Sequence, residues 1–140
     1  MRLEPGLRWS IYVTSALLFA TGIAWWMLGD GHGAIRLYLI AVHGFAAMLF
    51  LVALGAILVV HVREGWRRAL NRISGSLMLA TAVLLALSAC GLYYLGSDTL
   101  RNVASDLHIA LGLFVPLIFI AHVVLGRRAR LRAAAPANSQ

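Results

Sequence analysis

Four apolar stretches, at about residues 9–29, 35–62, 72–96 and 100–126, take up nearly all of this 140-residue chain. Each is long enough to cross a hydrocarbon core of about 30 Å, which needs roughly 20 helical residues. Lipid forces such a segment into a helix, because only then does every backbone N–H and C=O find a partner within it. Composition agrees: 61% of the residues are hydrophobic and 12% are charged, roughly half the charged share of a soluble domain. The expectation is an all-α integral membrane protein, one membrane domain over residues 1–140. Its spans form an up-down-up-down bundle of four transmembrane helices with a short basic tail at 127–140. The first stretch outruns the roughly 7–15 apolar residues of a signal peptide and shows no convincing cleavage site, so it is expected to stay as a helix.

A net charge of +7 invites a nucleic-acid reading, but the placement of the charge argues otherwise. Arg2 and Arg8 precede the first stretch, Arg63, Arg67, Arg68 and Arg72 lie between the second and third, and Arg127, Arg128, Arg130 and Arg132 follow the fourth. Only Arg36 and Arg101 lie in the other two connections, which carry Asp30, Asp98 and Asp106 instead. The positive-inside rule then puts both termini and the middle loop in the cytoplasm. The arginines set topology and contact membrane lipid; no nucleic-acid partner is expected.

Small residues recur along two of the helices. Ser15, Gly22 and Gly29 are seven apart, and Ala82, Ala86 and Ala89 each fall within about 40° of Gly75 at 100° per residue. Such faces let helices approach closely or make room for a cofactor. His32, in the turn Asp30-Gly31-His32-Gly33, reads as a solvated loop residue. The single cysteine, Cys90, excludes an intrachain disulfide and covalent c-type haem, and is expected to be a small buried packing residue.

The remaining histidines carry the chemistry. His43 and His61 lie in the second stretch, His108 and His122 in the fourth. Imidazole in hydrocarbon is costly, which makes intramembrane histidines functional candidates. Eighteen residues separate the first pair, five α-helical turns and about 27 Å; fourteen separate the second, a return to within about 40° over about 21 Å. Each helix is expected to show two imidazoles on one stripe. Both helices run from outside to inside, so His43 and His108 each lie eight residues below the expected outer ends at Ile35 and Leu100. In a bundle with short loops these two helices are diagonal and face each other across the core. Two cross-bundle pairs result, His43/His108 outside and His61/His122 inside.

A haem iron held by histidine on both faces suits such a pair and leaves no open position for substrate, so no catalytic residue is expected. Arg36 and Arg101 at the outer rim, and Arg63, Arg67 and Arg127 at the inner rim, are candidates to pair with haem propionates, beside their anchoring role. Two other uses compete. A metal-ion or proton transporter would line a path with the histidines, and a non-redox anchor subunit would not need them paired.

With these residues in place, the sequence resembles the small bacterial four-helix di-haem b-type cytochromes, the cytochrome b561-like group. Its ligand layout is similar to the four-helix core of the cytochrome b of quinol:cytochrome c oxidoreductases. The resemblance covers about residues 9–126. It implies two non-covalent haem b groups, the outer on His43 and His108 and the inner on His61 and His122. It also implies electron transfer between the quinone pool and a partner redox protein, by this chain alone or as the membrane subunit of a larger oxidoreductase. Quinone or quinol would be the substrate, and the bacterial cytoplasmic membrane the location. Spacing in the family is usually near fourteen in both helices, so the eighteen of His43–His61 leaves about 6 Å to absorb at the inner end. Pro116, which removes the hydrogen bond to the Gly112 carbonyl, is expected to absorb part of it.

Overall fold

The structure is a computed structural model that describes residues 4–29, 32–67 and 71–134. Asp30 and Gly31 of the first turn, Arg2, Arg68 and the last six residues of the basic tail lie outside them. The described residues form α-helices α1 (Pro5–Met27), α2 (Gly33–Ile57), α3 (Arg63–Arg67), α4 (Arg72–Tyr94) and α5 (Asp98–Ala134), with a π-helical segment at Leu58–Val62. Four of them, α1, α2, α4 and α5, are long and apolar enough to cross a membrane, the architecture of a multi-pass membrane protein. The chain divides into two compact units, Met1–Glu64 and Gly65–Gln140. Each is built on a helical hairpin, α1 on α2 and α4 on α5.

Local chemistry sets the helix ends. Pro5 occupies the first turn of α1, where its missing N–H costs nothing. Gly29 adopts φ +58° just past the end of α1, the left-handed residue that commonly stops a helix. Asn71 plays the corresponding part before α4 with φ 54°, a conformation asparagine tolerates better than most residues. The fourth stretch stays helical through Pro116 and on through Arg127, Arg128 and Arg132 to Ala134. At 1.5 Å per residue α5 is about 55 Å long, well beyond the hydrocarbon thickness. Its arginine-rich last turns are therefore a helical extension.

The second stretch departs from the expected single helix. Its α-helical ladder stops at Ile57, and the turn containing Val59, Val60, His61 and Val62 is π-helical. β-branched residues crowd the preceding turn of an α-helix, and here three of five positions are valine. A π turn takes up one extra residue. His61 lies inside that turn, so the eighteen residues from His43 advance by up to one residue's rise less than the roughly 27 Å of a continuous α-helix. His61 is also turned off the stripe of a continuous helix, by less than the roughly 100° of one whole residue.

Among the described residues the buried side chains are small apart from Ile11: Thr14 and Thr21 join it in α1, with Ala46 and Ala53 in α2, Ser74, Thr81, Ala82 and Ser88 in α4, and Ala104 in α5. Thr14–Thr21, Ala46–Ala53 and Ser74–Thr81–Ser88 are each spaced by seven, which keeps every row on one seam with about 20° of drift per step. Close approach is tightest at Gly91, where a Cβ would lie 3.1 Å from the Ala104 Cβ and 3.2 Å from Leu95 Cδ1. Cys90, expected to be buried, is exposed. It stands two residues past Ser88, and so about 200° round α4 from the seam.

The two hairpins repeat one another. Pro5 to Arg72 is the same shift of 67 as Thr14 to Thr81 and Thr21 to Ser88. Gly33 to Asp98 is the same shift of 65 as His43 to His108. The second hairpin thus makes its turn with two residues fewer, yet sets histidine opposite hydroxyl at the same level.

Candidate cofactor-binding histidines

Three of the four membrane histidines make the same contact inside their own hairpins. His43 of α2 brings Nδ1 to 3.0 Å from Thr21 Oγ1 of α1. His108 of α5 brings Nδ1 to 3.0 Å from Ser88 Oγ of α4. One register lower on the same pair of helices, His122 Nδ1 lies 3.1 Å from Ser74 Oγ. Ser74 and Ser88 are fourteen apart on α4, as His108 and His122 are on α5, so antiparallel packing meets the same pairing twice. Asn71 Nδ2 adds a hydrogen bond to the His122 carbonyl at 3.2 Å, tying the start of α4 to α5. All three histidines are half-buried.

The direction of these hydrogen bonds follows from the other partners. Thr21 donates its hydroxyl proton back along its own helix, to the Leu17 carbonyl at 2.7 Å. Ser88 likewise donates to the Leu85 carbonyl at 3.0 Å. Each hydroxyl oxygen therefore accepts from the imidazole. For His108 a second observation agrees: Nδ1 also lies 3.2 Å from the Leu85 carbonyl oxygen, which can only accept. Nδ1 thus carries the proton in His43 and His108, and Nε2 carries the lone pair.

Glycines flank the rings. A Cβ at Gly22 would sit 3.3 Å from His43 Cε1, whereas one at Gly75 would lie 3.7 Å from His122 Cε1. The small faces read in the sequence are thus used, at these two positions, to seat imidazoles. Alanine normally gains about 1 kcal/mol over glycine inside a helix. Gly75→Ala is expected to raise the thermal unfolding midpoint in detergent, and Gly22→Ala to lose that gain to crowding against His43.

His61 lacks the corresponding setting. The positions equivalent to Ser74 and His122 in the first hairpin are Leu7 and Ile57, and His61 comes four residues later in the π turn, half-buried. Both rim arginines have local partners. Arg36 donates from Nη1 to the Gly29 carbonyl at 3.0 Å and lies 4.2 Å over the Trp25 ring, while Arg101 pairs with the Asp98 carboxylate. His32 is exposed at the N-cap of α2, its Nδ1 2.9 Å from the Leu28 carbonyl.

The hydroxyl partners were not among the residues singled out from the sequence. Their signal was present: Thr14–Thr21 and Ser74–Thr81–Ser88 repeat every seven residues, one position before Ser15, Gly22, Gly75, Ala82 and Ala89.

A neutral imidazole with its proton held on Nδ1 is a form that ligates a metal through Nε2, and a hydrogen bond from Nδ1 is the usual companion of such ligation. Among the described residues no three His, Cys, Asp or Glu side chains gather into a metal-sized cluster. An imidazole nitrogen is a donor that haem iron accepts as an axial ligand. Comparison with protein-family models, curated proteins and solved structures finds no match for the chain.

Proposed function

We propose that this protein carries electrons across a membrane through two non-covalent haem b groups, exchanging them between the quinone pool and a partner redox protein, alone or as the membrane subunit of a larger oxidoreductase. His43 and His108 are the axial ligands of one haem and His61 and His122 those of the other. Arg36 and Arg101 are the propionate partners. Topology follows the arginines, with both termini in the cytoplasm of a bacterium.

The observation that supports this reading most strongly is the shared setting of His43 and His108. Equivalent positions in two hairpins hold equivalent imidazoles, each with Nδ1 against a hydroxyl of the neighbouring helix. When bound, the haem supplies a one-electron couple whose axial positions are both filled. The chain's own contribution is to orient the imidazoles of His43, His108 and His122 through hydroxyls of the neighbouring helix.

Reduced-minus-oxidised difference spectra, with haem quantified per chain, test the proposal on protein purified in detergent from haem-replete cells. Two b-type haems per folded chain are expected. A folded preparation with none would overturn it.

A further inference from the structure

We infer that Thr21 and Ser88 are positioning residues that lock His43 and His108 in the Nδ1–H tautomer and thereby set how strongly each Nε2 binds iron. The inference rests on the haem reading for its second half only; the tautomer belongs to the chain itself.

A serine or threonine inside a membrane helix ordinarily spends its proton on the carbonyl four residues back. Thr21 does so with Leu17, and Thr81 with Leu77 at 2.8 Å. That bond leaves the hydroxyl oxygen with lone pairs but without a proton to give to a neighbour. Beside an imidazole it is consequently an acceptor, and it selects the ring form that has a proton on Nδ1. Ser88 reaches the same state through the Leu85 carbonyl. Both hydroxyls are buried, so water does not compete for the bond.

Two consequences follow. The ring cannot turn about its χ2 axis without breaking the Nδ1 contact, so Nε2 is aimed before any ligand arrives. Donation from Nδ1–H also makes the ring more basic at Nε2, which favours the ferric over the ferrous ion. The hydroxyl is a weaker acceptor than a carboxylate, so the ligand stays a neutral imidazole.

Thr81 supplies an internal control. It lies midway between Ser74 and Ser88 on the same buried row, and its hydroxyl bonds to the Leu77 carbonyl. Removing it costs a comparable buried hydroxyl without touching an imidazole.

The experiment compares Thr21→Val, Ser88→Ala, Thr81→Val and the conservative Thr21→Ser with the natural chain, all at full length in detergent. Nitrogen-15 spectra of histidine-labelled, haem-free protein read the tautomer directly. Redox titration of the haem-loaded protein reads the midpoint potential, and haem titration reads affinity. Expected are loss of the Nδ1–H signature at His43 in Thr21→Val and its weakening at His108 in Ser88→Ala, where the Leu85 carbonyl remains as an acceptor. Affinity should fall about 10–100-fold in Thr21→Val, the usual cost of losing a partner of a metal ligand, with an upward shift in potential. Thr21→Ser should restore both, and Thr81→Val should change neither.

Unaltered tautomers in Thr21→Val and Ser88→Ala overturn the inference, as does a Thr81→Val effect as large as theirs. If the natural chain shows the tautomer signatures but binds no haem, the positioning role stands and the haem reading fails. The two failures are thereby told apart.

Discussion

Alanine at His43, or at His108, is expected to lower the haem content from two per chain to one. On the proposed ligation each removes one of the two axial nitrogens of one haem, and a single remaining imidazole holds haem far less well than two. The fold should survive, because neither change strips a buried hydroxyl of its partner. Thr21 keeps its bond to the Leu17 carbonyl, and Ser88 its bond to the Leu85 carbonyl. The measurement is haem per chain together with the amplitude of the difference spectrum, each expected at about half its starting value by loss of one of two like centres. The double substitution should be no worse than either single one, the mark of two residues acting as a unit. Two haems retained in either single variant would remove that histidine from the ligand set.

His61→Ala should likewise leave one haem, and the repeat between the hairpins says how to bring the second back. The first hairpin has Ile57 where the second has His122, and Leu7 where the second has Ser74. Introducing Ile57→His with Leu7→Ser in the His61→Ala background builds the Ser74–His122 arrangement fourteen residues from His43, in place of a ligand eighteen residues away across a π turn. Restoration to two haems is the expected result. Two haems already present in His61→Ala would show that His61 is not a ligand, and a single haem in the triple variant would show that the equivalence of the hairpins ends at the level of Thr21 and Ser88.

The four spans were legible because lipid leaves so little choice: an apolar run of membrane length has to be a helix. The histidines were legible for the complementary reason, that imidazole is out of place there. Thr21, Ser74 and Ser88 were hidden because a hydroxyl in a membrane helix can always satisfy itself on its own backbone, so its presence carries no cost to notice. Only the antiparallel register, which no single helix contains, reveals that the same oxygen also serves a histidine. The π turn at Leu58–Val62 was hidden too. Hydropathy and the eighteen-residue spacing both read as an uninterrupted helix, and the extra residue shows only in the hydrogen-bond ladder. For Cys90, residue type favoured burial, but its angle from the Ser88 seam decided the outcome.

The pairing inside each hairpin bears on how such a protein is made. Among the described residues no buried side-chain nitrogen or oxygen lacks a hydrogen-bond partner, and the partners of Thr14, Thr21, Ser74, Thr81 and Ser88 all lie within their own hairpin. A polar group carried bare into hydrocarbon costs several kcal/mol, and these carry none. Each hairpin is therefore a unit that the insertion machinery can release into the bilayer as soon as its second helix emerges, with His43 in the first, and His108 and His122 in the second, already held by a hydroxyl.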